Sequence, residues 1–309
     1  MRKITEVAAA VLLRPDGSFL LGQRSPGTFY PGYWEFPGGK VEAGETPRQA
    51  LVRELAEELE IVVRRAHPWV VREFEYEHAH VRLHFFRVTQ WDGELRDHVH
   101  AALEWQRPGE TTVAPMLPAN APILKALTLP ASCALTRAGQ VGAERQLADL
   151  EGALGRGLRL VLLHEPALEA AERLDFFRRA VALCRGSGAL VLIDGAAEEV
   201  RAVGADGLCL PASALAATND RPPFPWVAAA CNDPADLARA AWLAVDFAVL
   251  GPMPATAGAP GPDWARLAEW LGRCPLPVYA GGPTEGDRDA ALAAGAQGIV
   301  ATGPAWDRL

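Results

Sequence analysis

Glu54, Glu57 and Glu58 stand at positions i, i+3 and i+4 of a segment whose leucines, Leu51, Leu55 and Leu59, recur every four residues. That spacing predicts a helix with one apolar stripe and a neighbouring acidic one. An acidic stripe is commonly just a solvated face, and Arg53 with Glu57 makes an ordinary i,i+4 pair. Two features point further. Like charges at i,i+4 repel by about 0.2–0.5 kcal/mol, and no lysine on this helix relieves Glu54 and Glu58. A divalent ion would relieve them, because hard cations take carboxylate oxygens. Just upstream, Gly38-Gly39 lets the backbone approach closely, so a carbonyl could add another ligand.

Stepping outward, Thr46 suits the cap of this helix, Pro47 its first turn, and Gln49 completes a capping box. Before the helix, Glu6–Leu13 reads as a strand that ends at the turn Arg14-Pro15-Asp16-Gly17. After it, Phe74–Val88 reads as one strand, along which His78, His80 and His84 alternate onto a polar face. With His98 and His100 these resemble a metal cluster. The acidic helix already offers oxygen ligands suited to magnesium, so solvated or substrate-lining histidines are expected here rather than a zinc site.

At 309 residues the chain is long enough for two domains. Half of it is apolar and the formal net charge is -8. An acidic chain has no general attraction to a nucleic-acid backbone, so free nucleotides rather than polymers are the expected ligands. Cys133, Cys184, Cys209, Cys231 and Cys274 are widely spaced and odd in number, which fits a reducing cytoplasm better than a disulfide framework. Arg2 and Lys3 precede an apolar run like a weak signal peptide, but Glu6 interrupts it. No apolar stretch is long enough to cross a membrane.

The composition changes near Leu127-Thr128-Leu129-Pro130, which sets domain limits at 1–129 and 130–309. A short helix, Ala121–Ala126, closes the first part. The second contains eight short apolar runs: Cys133–Thr136, Leu158–Leu163, Ala189–Ile193, Gly207–Leu210, Trp226–Ala230, Phe247–Leu250, Pro277–Ala280 and Gly298–Ala301. Helical patterns lie between most of them. Eight β-runs alternating with helices imply a closed, parallel (β/α)8 barrel. The part spans only about 180 residues, under the roughly 200 usual for such barrels, so some helices must be short. Ala212–Pro225, with three prolines, reads as a loop.

Gly39, Glu45, Arg53, Glu54, Leu55, Glu57, Glu58 and Ile61 match the Nudix box, G-x5-E-x7-R-E-U-x-E-E-x-G-U, where U is a bulky aliphatic. Only Glu60 departs, standing where the box has a helix-ending glycine. The first domain therefore resembles a Nudix hydrolase, which implies an α/β/α sandwich around a mixed sheet and hydrolysis of a nucleoside diphosphate linked to another group. The resemblance makes Glu54, Glu57 and Glu58 ligands of magnesium, for which manganese could substitute, with the Gly38 carbonyl as a further ligand. Arg53 would orient the carboxylates, and Glu45 would support the same loop.

Within that family the chain is similar to the bacterial MutT group of 8-oxo-dGTP diphosphatases. Trp34-Glu35-Phe36-Pro37-Gly38-Gly39-Lys40 resembles the group's L-E-F-P-G-G-K and places Glu35 and Phe36 with the substrate. Leu21-Gly22-Gln23-Arg24 resembles the strand whose arginine touches phosphates, although Arg24 could also be a surface arginine. Leu117-Pro118-Ala119-Asn120 resembles the P-A-N segment whose asparagine reads the purine edge, although Asn120 could also cap Ala121–Ala126. Glu104-Trp105 resembles a late E-W pair whose glutamate adds a metal ligand or base; Asp97, Glu94 and Glu110 are alternatives. The implied substrate is an oxidised purine nucleoside triphosphate.

The second domain resembles the thiamine-phosphate synthase and TenI-like barrels, most clearly in Asp246–Pro252, Pro277–Gly282 and Gly295–Val300. Gly281, Gly282 and Gly303 could form a phosphate cradle near the last two strands, or could be plain turn glycines. A thiamine-related phosphate is the ligand this resemblance implies. The synthase's catalytic residues are mostly absent. Its N-D-R reads Asp194-Gly195-Ala196, its Q-x-D reads Ala212-Ser213-Ala214, its S-x-H falls at Ala229-Ala230-Cys231, and its T-x-S-K reads Thr256-Ala257-Gly258-Ala259. Without metal ligands or the lysine, a transferred pyrophosphate stays unscreened. The barrel is expected to lack synthase activity and to bind, regulate or support. An alternative is that the Nudix half hydrolyses a thiamine-pathway pyrophosphate.

Overall fold

The computed structural model describes residues 3–251, 263–281, 285–302 and 306. The chain divides into two compact units, Met1–Thr128 and Leu129–Leu309.

In the first unit, β1 (Ile4–Leu12), β4 (Gly38–Lys40), β5 (Val62–Glu75) and β6 (His80–Asp92) form a sheet in the order β4-β1-β6-β5. It is mixed, because β1 runs parallel to β6 and antiparallel to β4. A second, antiparallel sheet holds β3 (Trp34–Glu35), β2 (Phe19–Gln23) and β7 (Ala102–Gln106). The two-residue period of β1 divides its side chains between two cores. Ala8, Ala10 and Leu12 pack with Leu51, Leu55 and Leu59 of α1 (Pro47–Leu59). Ala9 and Val11 pack with Ile123 and Ala126 of α2 (Ala121–Ala126). A helix thus covers each face, as an α/β/α sandwich requires. Alanine at three of the five buried β1 positions lets both helices come close. Each of the three α1 leucines is fully buried, which contributes about 1.5–3 kcal/mol apiece.

The single strand expected over Phe74–Val88 is instead two. β5 ends at Glu75, β6 starts at His80, and a turn closes with the Tyr76 N–H donating to the Ala79 carbonyl at 2.8 Å. The turn residues Tyr76-Glu77-His78-Ala79 include no glycine, proline or asparagine, so the usual turn signals are missing. His80 and His84 do share β6, while His78 sits in the turn.

The second unit closes as a parallel barrel of β8 (Ser132–Leu135), β9 (Leu160–Leu163), β10 (Leu190–Asp194), β11 (Gly207–Leu210), β12 (Trp226–Cys231), β13 (Phe247–Leu250), β14 (Val278–Gly281) and β15 (Gly298–Thr302). Each strand lies within one of the eight apolar runs or within two residues of its ends. Cys133, Leu160, Leu162, Leu192, Cys209, Phe247, Tyr279 and Val300 fill the interior. Their neighbours in sequence, among them Ala134, Val161, Leu163, Val191 and Ile193, pack outward against the helices. The size is reconciled by short helices: α3 (Ala138–Val141) and α7 (Ala212–Leu215) have four residues each. The latter is a single turn inside the segment expected to be all loop. The longer ones are α4 (Ala143–Gly155), α5 (Ala170–Ser187), α6 (Ala197–Val203), α8 (Pro234–Trp242), α9 (Trp264–Leu271) and α10 (Arg288–Ala293). At the barrel floor, Tyr279 Oη donates to the Pro130 carbonyl at 2.6 Å and Gln297 Nε2 to that of Leu129 at 2.9 Å. All five cysteines are free and buried. No described helix is long and apolar enough to cross a membrane.

Candidate functional site

The capping box forms at the start of α1: the Gln49 N–H donates to Thr46 Oγ1 at 3.3 Å, and the Thr46 N–H to Gln49 Oε1 at 2.8 Å. This fixes where α1 begins, and so which side chains meet β4. Glu58 Oε2 accepts the Gly38 N–H at 3.2 Å. The Glu54 carboxylate lies where a side chain on Gly39 would stand, 2.2 Å from that Cβ position. Both carboxylates therefore reach the same glycine pair, and at Gly39 the missing side chain leaves room for Glu54.

Arg53 ties the acids together. It bonds both oxygens of Glu45, at 2.8 and 3.0 Å, and also Glu54 at 3.0 Å, Glu57 at 3.3 Å and the Lys40 carbonyl at 3.0 Å. Its hydrogen bonds hold the Glu45 carboxyl down to about 2. Glu58 goes the other way. Burial first, then the charges of Glu54, Glu35 and Asp97, push it up to about 7 against the Gly38 hydrogen bond. Burial also raises Glu35, although Arg24 holds it with Nη1 2.6 Å from both oxygens. Arg24 donates a further bond from Nε to the Phe29 carbonyl at 2.6 Å.

Glu60 keeps the helix exit that glycine gives the box. It adopts the left-handed conformation, φ 54° and ψ 30°, and its N–H and that of Ile61 both return to the Leu55 carbonyl. The carboxylate pairs with His98 at 2.6 Å and Arg96 at 3.3 Å.

Two expectations need correction, Phe36 as a substrate contact and Asn120 as a cap. Phe36 does not face a ligand; it is buried between Phe19 and Phe85, with ring centroids 5.9 and 5.8 Å away. Asn120 stands at the N-terminal end of α2, but its side chain makes no capping hydrogen bond there. It is buried, and its Nδ2 donates to the Trp34 carbonyl at 3.2 Å, bracing β3. Glu104 is exposed on β7 opposite Leu21, and Asp97 is the later acid whose charge acts on Glu58. Asp97 is itself held by the N–H groups of Val99 and His100 at 3.1 and 2.9 Å.

Beside the acids opens a cleft of about 590 Å³. Glu35, Gly38, Gly39, Lys40 and Glu58 line it, together with Arg24. So do three aromatic side chains that sequence reasoning did not assign to it, Phe29, Tyr30 and Tyr76, together with His78. Phe29 and His78 stack face to face, 3.9 Å apart and within 9° of parallel, and Phe29 is 64 % exposed. Large aromatics between Gly27 and the Pro31-Gly32 pair, in what reads as a turn, were the available signal. The histidines do not cluster. His80, His84, His98 and His100 each pair with one carboxylate, and His78 and His100 line the cleft, as substrate-lining residues would.

The donors suit magnesium in kind and in charge: they are carboxylate oxygens gathered at Gly38-Gly39, where burial and the neighbouring acids raise Glu58 to about 7. Among the described residues no three histidine, cysteine or acidic side chains already converge on one point. Arg53 engages Glu54 and Glu57 instead. A pH dependence follows. A carboxyl at about 7 when folded, against an ordinary 4.5, stabilises the fold fully below about 4.5, and that contribution is lost as pH rises through about 7. In metal-free solution the first domain should lose on the order of 2–3 kcal/mol across that window through this group. Glu58→Gln should flatten the change, which melting curves between pH 5 and 8 would measure.

In the barrel, Asp194 ends β10 and lies 2.8 Å from His164 Nδ1. Ala212–Ala214 fall in α7, and Ala229–Cys231 in β12. Gly281 ends β14, where a Cβ would come 2.9 Å from the Leu250 carbonyl oxygen, so close strand packing accounts for this glycine. Gly282, Gly303 and Thr256–Ala259 lie outside the described residues.

Comparison with known proteins agrees with both halves. Residues 3–127 match the NUDIX domain model, and residues 133–303 match the model described as thiamine monophosphate synthase, TMP-TENI. A CTP pyrophosphohydrolase of Escherichia coli strain K12 is 43 % identical over 124 residues, 40 % of this chain and 91 % of that protein. An 8-oxo-dGTP diphosphatase of Haemophilus influenzae is 44 % identical over 93 residues, 30 % of this chain and 68 % of that protein. An 8-oxo-dGTP diphosphatase of Escherichia coli strain K12 is 32 % identical over 127 residues, 41 % of this chain and 98 % of that protein. With Glu54 and Glu58 gathered on Gly38-Gly39 in one unit and an eight-stranded parallel barrel in the other, the chain belongs to the Nudix family through its first domain and to the thiamine monophosphate synthase (TMP-TENI) family through its second.

Proposed function

We propose that the first domain hydrolyses a nucleoside triphosphate to the monophosphate and pyrophosphate, with 8-oxo-dGTP as its substrate. The observation that carries this is the joining of two elements in one cleft: the carboxylates at Gly38-Gly39 and a wall of aromatic rings. Glu54, Glu57 and Glu58, with the Gly38 carbonyl, would hold magnesium or manganese, and Glu104 remains a candidate additional ligand or base. The bound ion would screen the phosphate charge and stabilise the negative charge that develops during hydrolysis. Arg24 and Lys40 supply cationic side chains for the phosphates. Arg53 keeps Glu54 and Glu57 oriented. Phe29 offers an exposed ring face to a base.

A second reading has a specific observation behind it. The Asn120 amide that would read an oxidised purine already donates to Trp34, and the CTP pyrophosphohydrolase shares 43 % identity. Comparing kcat/KM for 8-oxo-dGTP, dGTP and CTP on the full chain with magnesium separates the two. At least tenfold faster turnover of 8-oxo-dGTP than dGTP is expected. Fastest turnover of CTP would move the substrate to a pyrimidine, and hydrolysis of none of the three would overturn the reading. A thiamine-pathway pyrophosphate is the remaining candidate that the barrel suggests.

The second domain is proposed to have no synthase activity. Asp194, at the position nearest the lost metal ligands, is paired with His164, and Ala212–Ala214 carry no acid. Incubated with the two thiamine-phosphate precursors and magnesium, the full chain should form no thiamine phosphate. Product formation would show that other residues replace the missing ones.

A further inference from the structure

The loop between β6 and β7 carries an imidazole that no step above uses. Asp97 Oδ1, which takes the N–H groups of Val99 and His100, also lies 3.1 Å from His100 Nδ1. The loop is clamped on three sides. The Arg96 and His98 N–H groups donate to the Leu59 and Glu58 carbonyls of α1, each at 3.0 Å. Ser25 Oγ donates to the Val99 carbonyl at 2.5 Å, and the Ala101 N–H to the Gln23 carbonyl at 2.8 Å. The His100 side chain is only 4 % exposed, yet it lines the nucleotide cleft.

Gly22 of β2 makes the seat for this ring. A Cβ on Gly22 would stand 2.2 Å from His100 Cδ2 and 2.6 Å from Nε2, so the imidazole fills the place of the missing side chain. Gly22 pairs directly with Glu35 of the antiparallel β3. Side chains of directly paired residues share one face of the sheet, with Cβ atoms about 4.5–5.5 Å apart. The ring that occupies Gly22's side-chain place therefore lies beside Glu35. With Nδ1 turned to Asp97, Nε2 is the ring nitrogen left for that neighbour. The electrostatics agree: burial raises Glu35, and the charges of Arg24 and then His100 oppose the rise. Arg24 holds both Glu35 oxygens and is also a cation offered to the phosphates. A phosphate that draws on Arg24 leaves the mostly buried Glu35 dependent on its second partner.

We propose that His100 is a positioning residue for the nucleotide: held by Asp97 at Nδ1, it supports Glu35 from Nε2, so that Arg24 can turn to the phosphates while Glu35 keeps its place in the cleft. The kinetic part of this rests on the nucleotide reading above. The full chain in magnesium is assayed with whichever of 8-oxo-dGTP, dGTP and CTP it turns over fastest. His100→Ala should raise KM about tenfold or more and change kcat by less than about threefold. His100→Gln, whose amide nitrogen reaches the place of Nε2, should restore KM, whereas His100→Asn, whose amide reaches only that of Nδ1, should not. Rescue by Asn and not by Gln would mean that His100 only clasps the loop to Asp97, and overturns the proposal, as does an unchanged KM in His100→Ala. Added to Glu35→Gln, His100→Ala should cost almost nothing more; additive losses also overturn it. A second measurement needs no turnover. In histidine NMR of the metal-free full chain, with the signal assigned by His100→Gln, Glu35→Gln should move the His100 signal and leave that of His84, which pairs with Glu6, in place. This decides the matter if His100→Ala unfolds the domain or if none of the three nucleotides is hydrolysed, the result that defeats the nucleotide reading. A His100 signal unmoved by Glu35→Gln overturns the proposal in every case.

Discussion

Glu58→Gln is expected to lower nucleotide turnover by about 10²-fold or more while leaving the first domain folded, and Glu54→Gln should do the same. The two carboxylates meet one glycine pair from the same helix face, so each contributes charge at one place. Glutamine keeps the shape, and its carbonyl oxygen can still accept the Gly38 N–H. Folding should not suffer at position 58. The buried Glu58 carboxylate is opposed by Glu54, Glu35 and Asp97, and a neutral amide removes that repulsion. Above pH 7 without metal, the variant should melt no lower than the parent. Glu57→Gln should have a smaller effect, because that side chain is 61 % exposed and pairs with Arg53 at the helix surface. Turnover and melting temperature measured on all three decide the matter. Near-normal hydrolysis by both Glu54→Gln and Glu58→Gln in magnesium would remove these carboxylates from the chemistry.

The parts of this site that sequence made legible are those written in a local period. The four-residue spacing of Leu51, Leu55 and Leu59 and the Thr46–Gln49 box define α1 without reference to anything distant. The eight barrel strands were legible for the same reason, since each is a short apolar run bounded by turns. What was not legible depends on pairing across the fold. Phe36 sits next to Glu35, yet alternation along the chain sends it into the core with Phe19 and Phe85. Asn120 has the composition of a cap, but the Trp34 carbonyl, 86 residues away in the chain, takes its amide. Asp97 and Glu104 are equally acidic in sequence. Only the loop held by Val99 and His100 determines that Asp97 acts on Glu58. The aromatic wall unites the Phe29-Tyr30 loop with the Tyr76–Ala79 turn, a turn without turn residues.

Gly38→Ala should cost the first domain about 3 kcal/mol or more. Gly38 has φ 139°, a conformation side chains rarely adopt, and its added Cβ would stand 2.1 Å from the Ala8 carbonyl oxygen. That oxygen belongs to the backbone of β1, whose alternating residues anchor both cores of the domain, so it cannot move aside without disturbing α1 and α2. The neighbouring Gly39→Ala separates stability from chemistry. Its Cβ would also clash, at 2.2 Å, but with the end of the Glu54 side chain, which can swing away. Gly39→Ala should therefore keep the fold and lose turnover, because the carboxylate that moves is one the reaction needs. Calorimetry on the full chain reads both, since each domain has its own core. The first-domain transition should fall by roughly 10 °C in Gly38→Ala and by far less in Gly39→Ala. Equal melting of the two variants would mean that β4 yields to a side chain as readily as Glu54 does, and that Gly38 is not held against β1 as described.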